Sequence, residues 1–210
     1  MPEHLNLPNK SDVFKKTYIN YLNEISKVDL KKMQPKLGIK FIDKIAAIPF
    51  FNTEYLLKEK GFVDAQDRSP SFDILIVLCK YLLLCPDSTP KNDTLVSFRD
   101  FKHSGPLTTY FSNDVEARIS RNFEGKLESL KRAVSALKGF QPKIDVNYDF
   151  TAQIKALPNV PMVLLFNDKD DEFDAQAKLL FEQRAEKYLD AECLAIMGNL
   201  LSRELVKKIH

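Results

Sequence analysis

Five carboxylate side chains lie close together in the last third of the chain. They follow an apolar run, 160–166, and occupy five of the seven positions 168–174. The apolar run predicts a buried strand, so the carboxylates must lie where that strand leaves the core. Carboxylates at such a place hold a divalent cation, cap a following helix, or face water.

The first alternative makes Asp168, Asp170 and Glu172 the ligands of a magnesium ion. Asp168 and Asp170 are two positions apart, and carboxylate oxygens are ligands that magnesium prefers. An EF-hand is excluded because Phe173 occupies the turn position that requires glycine. Consecutive carboxylates cannot all point the same way, so we expect no metal ligand here. The cluster instead predicts helix capping by Asp170 or Asp171.

Three further polar residues are candidates for a site. Arg184 follows an apolar triplet and could pair with a carboxylate of the acidic cluster. His103 lies in a charged loop with Arg99 nearby, and a histidine in such a loop could act as a general base. No elbow motif such as GxSxG accompanies it, so an exposed surface position is the simpler interpretation.

Composition excludes several functional classes. The chain has 31 basic and 29 acidic residues, a net charge of +2, which is too balanced to indicate a nucleic-acid partner. Its six glycines form no dinucleotide or phosphate-loop motif, so no cofactor is expected. The longest apolar segment, 74–85, is interrupted by Lys80 and is too short to span a bilayer.

The cysteines indicate the compartment. Cys79, Cys85 and Cys193 lie in apolar stretches and form no CxxC pair. This pattern predicts reduced, buried thiols in a soluble cytoplasmic protein rather than disulfides, structural zinc or an iron–sulfur cluster.

Two groups of strands are predicted. Short apolar runs between residues 39 and 65, separated by tight turns, are typical of an antiparallel meander. Residues 146–154 alternate between apolar and polar types, and the run 162–166 follows as their antiparallel partner. A short strand is also predicted over 95–98.

Helical spacing of apolar residues predicts the remaining elements. Helices are expected over 11–25, 29–35, 71–84, 114–137, 173–184 and 191–209. One core should contain the large apolar residues Leu75, Leu78, Leu82, Leu164, Phe166, Leu180, Leu194 and Met197. We expect residues 1–10 to form a loose arm and 11–210 to form a single α+β domain, with small antiparallel sheets packed against several helices.

Several segments of the chain resemble a known family. They are 96–99, 110–111, 160–166, Asp168, 170–173, 180–181 and 188–189. In these residues the chain is similar to the bacterial and archaeal family called domain of unknown function 3786. The resemblance implies no established activity, so it assigns no catalytic residue.

The missing catalytic motifs favour a non-catalytic binding or accessory module, whose partner would be a protein or a small molecule. The alternative is a magnesium-dependent enzyme that acts on a small phosphorylated or carboxylated substrate through the acidic cluster. Geometry separates the two, because an enzyme needs those carboxylates to converge on a cavity. A structural role instead places them beside backbone amides.

Overall fold

The fold combines antiparallel sheets with helices, as expected. A computed structural model describes residues 12–209 of the 210-residue chain. The strands are β1 Lys40–Ile42, β2 Ile45–Phe50, β3 Thr53–Lys58, β4 Gly61–Val63, β5 Leu95–Ser97, β6 Phe150–Leu157, β7 Val160–Asn167 and β8 Gln176–Glu182. They form two four-stranded sheets in the orders β1-β2-β3-β4 and β5-β8-β7-β6.

Helices precede β1, separate β4 from β5 and β5 from β6, and follow β8. The α-helices are α1 Asp12–Ile25, α2 Leu30–Leu37, α3 Phe72–Leu83, α4 Gly105–Tyr110, α5 Ala117–Phe123, α6 Leu127–Ala136 and α7 Ala191–Val206. A π-helical segment, Phe111–Glu116, joins α4 to α5, and 3₁₀ turns span Phe98–Asp100 and Gln183–Lys187. The α+β class is confirmed, whereas the expected arm over 1–10 lies outside the described residues.

The first sheet is the predicted meander. Its β1–β2 hairpin closes through Asp43 and Lys44, which have φ angles of 50° and 67°. Two consecutive positive φ angles match the right-handed twist of paired strands, so this two-residue turn fixes the register. Ile42 therefore lies opposite Ile45.

Tyr18 of α1 forms a hydrogen bond with this sheet. Its hydroxyl accepts a hydrogen bond from the N–H of Phe62 at 3.0 Å. Gly61 has a φ of 113°, and a Cβ there would lie 2.5 Å from the Tyr18 hydroxyl oxygen. Glycine is therefore required at this position both for its backbone conformation and for the close approach of the phenol.

The predicted buried helix is confirmed as α3, and it is joined to α7 by an ion pair. The Lys80 ammonium lies 3.1 Å from Asp190, the residue that caps the N-terminus of α7. Partial burial raises the pKa of the Asp190 carboxyl. The N–H of Cys193 and the Lys80 ammonium more than offset this effect, and the pKa lies below its usual range.

The second sheet contains the predicted pair of strands, β6 and β7. Ala152 lies opposite Leu164 in this pair, and both side chains are buried. The two sheets meet where the N–H of Phe51 donates to the carbonyl of Ala156 at 2.8 Å. A single core of buried side chains contains residues of both sheets and of α3 and α7.

The predicted helix over 173–184 is wrong, because this segment contains strand β8. Ala177, Leu179 and Phe181 are buried, and the residues between them are more exposed. This alternation is the two-residue period of a strand with one covered face. Leu180 consequently lies on the opposite face from Leu179, and its predicted place in the core is also wrong. The other seven predicted core residues are confirmed.

Two other predictions concern helix boundaries and thiols. The helix expected over 114–137 is divided at Gly125, which has a φ of 66°, and the helical stretch already begins at Gly105. The three cysteines are free. Cys79 and Cys193 are buried, and burial raises the pKa of each thiol far above the usual range of a thiol. The Cys85 side chain is only half-buried.

The alternation in β8 gives a direct test of the fold. Leu179→Ala should lower the free energy of unfolding by about 2–5 kcal/mol, because a fully buried leucine leaves a cavity. Leu180→Ala is the matched control and should cost clearly less. Urea unfolding measures both, and equal losses would contradict the assignment of a strand.

Candidate functional site

A cleft of about 280 Å³ lies beside the exposed edge of the second sheet. Three elements enclose it: the turn after β5, the helical stretch from α4 through the π-helical segment, and strand β8. The lining residues are Ser97, Phe98, Arg99, Thr108, Phe111, Ser112, Glu116 and Lys178. We call this cavity the Arg99 cleft.

The turn that carries Arg99 is held by a reciprocal cap. Both the N–H and the hydroxyl of Ser97 donate to the Asp100 carboxylate, at 2.9 Å and 2.6 Å. The Ser97 hydroxyl and then its backbone N–H lower the pKa of the Asp100 carboxyl. β5 therefore ends at Ser97, and the chain turns into the wall of the cleft.

The opposite wall depends on a close approach between Gly198 of α7 and the π-helical segment. A Cβ at Gly198 would lie 2.8 Å from Cζ of Phe111 and 3.2 Å from a methyl carbon of Val115. The Phe111 ring also stacks on Phe98, with centroids 4.3 Å apart and planes 7° apart. Because Gly198 has no side chain, Phe111 can lie close to α7 and stack on Phe98, the residue before Arg99.

Glu116 is a buried carboxylate at the end of the π-helical segment. One of its oxygens accepts the N–H of Leu179 at 3.0 Å, and the other accepts the Lys178 ammonium at 2.9 Å. Strand β5 stops opposite Leu180, so the Leu179 amide lies just beyond its last pair. The Glu116 carboxylate occupies the place that a longer β5 would have filled, and it satisfies this amide.

The rim of the Arg99 cleft is rich in hydrogen-bond donors. The Arg99 side chain is 77% exposed, and its guanidinium lies 4.0 Å from Asp100. The Lys178 side chain is 51% exposed and has two further ammonium protons beyond the one it gives Glu116. With the hydroxyl of Ser112, these groups form a surface suited to an anionic group such as a carboxylate or phosphate. The Thr108 hydroxyl, which also lines the cleft, donates to the carbonyl of Ser104 at 3.2 Å.

The acidic cluster occupies the loop between β7 and β8, so its predicted role as a helix cap is wrong. No helix follows it among the described residues before Gln183. Asp170 instead accepts the amides of Glu172 and Phe173, at 2.8 Å and 2.7 Å. These two backbone hydrogen bonds lower the pKa of the Asp170 carboxyl.

Asp168 also bonds to the backbone. Its carboxylate accepts the N–H of Gly125 at 2.6 Å and that of Lys169 at 2.9 Å. This contact connects the acidic loop to the turn between α5 and α6. Asp168 and Asp170 line a second, polar cavity of about 540 Å³, whereas Glu172 does not.

Potential metal ligands are scattered over residues 12–209. In that part of the chain, no group of three or more histidine, cysteine, aspartate or glutamate side chains is placed to hold a metal ion. The carboxylates of Asp168 and Asp170 accept backbone N–H groups of their own loop and of the turn between α5 and α6.

The remaining candidates are dispersed. Arg184 donates to Glu182 and to the carbonyl of Pro90 at 3.4 Å. The alternative in which it pairs with the acidic cluster is not formed among the described residues. His103 is exposed at a backbone position with a φ of 62° and does not line the Arg99 cleft. Arg99 is the sequence candidate that the cleft contains.

The sequence alone does not single out Glu116 or Lys178 as site residues. Glu116 follows the apolar residue Val115 on a predicted helix, where a carboxylate commonly faces water. Lys178 lay within the helix wrongly predicted over 173–184. A signal was present in the alternation of polar and apolar residues along 176–182, which places Lys178 on the face opposite the core.

The chain belongs to the family described as Domain of unknown function (DUF3786), whose model matches residues 29–204. Neither the comparison with curated proteins nor the comparison with solved structures found a match. Within the described part of the chain, no helix combines the length and apolarity needed to cross a membrane.

The two bonds of Glu116 predict a marked difference between substitutions. Glu116→Ala should cost about 1–3 kcal/mol of unfolding free energy, because the buried Leu179 amide loses its acceptor. Glu116→Gln keeps an acceptor oxygen and loses the ion pair to a half-exposed lysine, which is worth less than about 1 kcal/mol. Thermal or urea unfolding measures both, with the exposed Glu128→Ala as control. Similar losses for Glu116→Ala and Glu128→Ala would contradict this account.

The bonding of the acidic loop predicts weak metal binding. Calorimetric titration with magnesium, calcium and manganese should give no micromolar affinity, since Asp168 and Asp170 are engaged by backbone amides. The double substitution Asp168→Ala with Asp170→Ala serves as the control. Micromolar binding that disappears in the double variant would establish a cation site.

Proposed function

We propose that this member of the family is a non-catalytic binding module, and that the Arg99 cleft holds a small anionic molecule. The observation that carries the proposal is that Arg99, Lys178 and the Ser112 hydroxyl line one cavity. Two segments that suggested the family, 96–99 and 110–111, contribute Phe98 and Phe111 to this cavity. The proposal places the protein in the cytoplasm, where free thiols persist.

Charge and hydrogen bonding support an anion as the ligand. The guanidinium of Arg99 offers a planar array of donors that matches a carboxylate or phosphate. Lys178 adds a second positive charge, and Glu116 holds its ammonium near the cleft. An arginine and a lysine on one rim attract an anion and provide bonds that are stronger than neutral hydrogen bonds.

The arrangement of the same groups favours binding over catalysis. Both oxygens of Glu116 accept hydrogen bonds from protein groups, so this carboxylate is poorly suited to act as a general base. His103 does not line the cleft, so an imidazole base is not available there either. A ligand in the Arg99 cleft would thus contact hydrogen-bond donors, but no side chain there is free to accept a proton from it.

The second candidate function is a magnesium-dependent enzyme acting through the acidic loop. It is favoured by the cavity of about 540 Å³ that Asp149, Asp168, Asp170 and Asp174 line. It ranks below the binding module because Asp149 accepts the amide of Asp168 at 2.8 Å, and Asp168 and Asp170 accept amides in turn. Ligating a cation would require these carboxylates to share or exchange their partners.

Nuclear magnetic resonance titration tests the proposed function. Addition of benzoate, acetate or inorganic phosphate should produce saturable shifts of the backbone amides of Ser112 and Leu179 for at least one anion. Arg99→Gln should weaken that binding at least about tenfold, since it removes a charge-assisted pair. Arg132→Gln, on the exposed face of α6, removes the same charge elsewhere and should leave binding unchanged. An absence of saturable shifts at both amides would overturn the proposal.

A further inference from the structure

We infer that two copies of this chain associate through the outer face of the first sheet, with Leu56 of each copy lying over Ala47 of the other. The inference is independent of the Arg99 cleft, which lies beside the second sheet. Three features carry it: an apolar row across the strands, the sizes of two neighbours in that row, and the distribution of charge around it.

Burial distinguishes the two faces of the first sheet. The core contains the inner-face residues Ile48, Tyr55 and Phe62, and Phe41 packs against it. The alternate residues of each strand point to the opposite, outer face. They are Lys40, Ile42, Ile45, Ala47, Pro49, Glu54, Leu56, Lys58, Gly61 and Val63. Within residues 12–209, none of these outer-face residues belongs to the core.

Most of the outer face is apolar, whereas an antiparallel sheet with one covered face normally presents polar residues on the other. Ala47, Leu56 and Val63 lie directly opposite one another on β2, β3 and β4. Ile42 and Ile45 form a neighbouring cross-strand pair, and Ile42 is 65% exposed. Leu56, Val63 and Ile45 are each partly exposed. A contiguous apolar surface of this kind marks an interaction site.

The sizes of two neighbours make this row self-complementary. Ala47 is small and only 9% exposed, so it leaves a shallow depression between Lys40 and the partly exposed Leu56. A two-fold axis parallel to the strands, between β2 and β3, places β2 of one copy over β3 of the other. Because Ala47 and Leu56 are paired in register, each Leu56 then lies over the depression of the other copy. The two sheets pack face to face, as the sheets of a sandwich do.

The charges on the face favour a second copy over a partner of one sign. The Lys40 ammonium lies 3.5 Å from Glu54, and that of Lys58 pairs with Asp67, so both signs are present. The two-fold axis places β1 over β4 and β3 over β2. The outer-face residues of β2 and β4 are all uncharged, so the charged residues of β1 and β3 do not meet like charges.

Analytical ultracentrifugation of the full chain tests the inference. The unmodified chain should show a monomer–dimer equilibrium. Leu56→Glu should weaken it at least about tenfold, because a symmetric dimer contains this side chain twice. Val146→Glu adds the same charge at another exposed apolar residue and should leave the equilibrium unchanged. Leu56→Thr keeps a residue that favours strands and should also weaken association. Far-ultraviolet circular dichroism checks that each variant is folded.

A mixing experiment tests the two-fold arrangement. Ala47→Lys fills the depression and should weaken self-association as Leu56→Glu does. An equimolar mixture of the two variants should associate more tightly than either variant alone. In the mixed dimer one glutamate lies over one lysine, and the second contact is still between an unmodified Leu56 and an unmodified Ala47.

Four results would overturn the inference. The first is an unmodified chain that remains monomeric up to about 1 mM, the range of the weakest measurable association. The second is a dimer that neither substitution of Leu56 weakens, since another surface would then form the contact. The third is an equal loss of association in Val146→Glu and Leu56→Glu. The fourth is a mixture of Leu56→Glu and Ala47→Lys that associates no better than its components.

Discussion

The carboxylate of Glu116 is the interaction on which the candidate site depends. It is buried, yet it carries two oxygens that need partners, and β8 supplies both of them through the Leu179 amide and the Lys178 ammonium. A buried charge without such partners would be strongly unfavourable. The π-helical segment must therefore remain against β8, and this contact defines one side of the Arg99 cleft.

A steric constraint acts together with this electrostatic one. Gly198 allows Phe111 to lie against α7, and Phe111 then stacks on Phe98. Phe98 begins the short turn that carries Arg99. The packing of Phe111 between α7 and Phe98 therefore determines the position of Arg99 on the surface. π-helical insertions are uncommon and often occur at functional sites, because they shift side chains out of the regular helical register. Here the π-helical segment ends at Glu116, whose carboxylate accepts the Leu179 amide and the Lys178 ammonium.

Much of the fold could be predicted because it depends on local patterns. The meander follows from short apolar runs separated by tight turns, and α3 follows from an apolar segment long enough for a helix. Strand β8 is difficult to recognise from sequence because Leu179, Leu180 and Phe181 are all apolar, and such a triplet obscures the two-residue period. The acidic residues before it were then assigned to a helix cap that does not exist.

The candidate site was much less predictable than the fold. Glu116 binds a backbone amide 63 residues later, and no residue type signals such a contact in advance. The same holds for Asp168, which accepts the amide of Gly125 across the fold. Arg99 could be named as a candidate, but its neighbours in the cleft come from a π-helical segment and a strand that the sequence did not reveal.

The central claim is that a small anion binds between the turn after β5, the π-helical segment and β8. Intermolecular nuclear Overhauser effects between benzoate and the isotope-labelled protein test it most directly. The account predicts contacts from the ligand ring to Phe98, Phe111 or Thr108. Contacts confined to the acidic loop, for example to the exposed ring of Phe173, would contradict it.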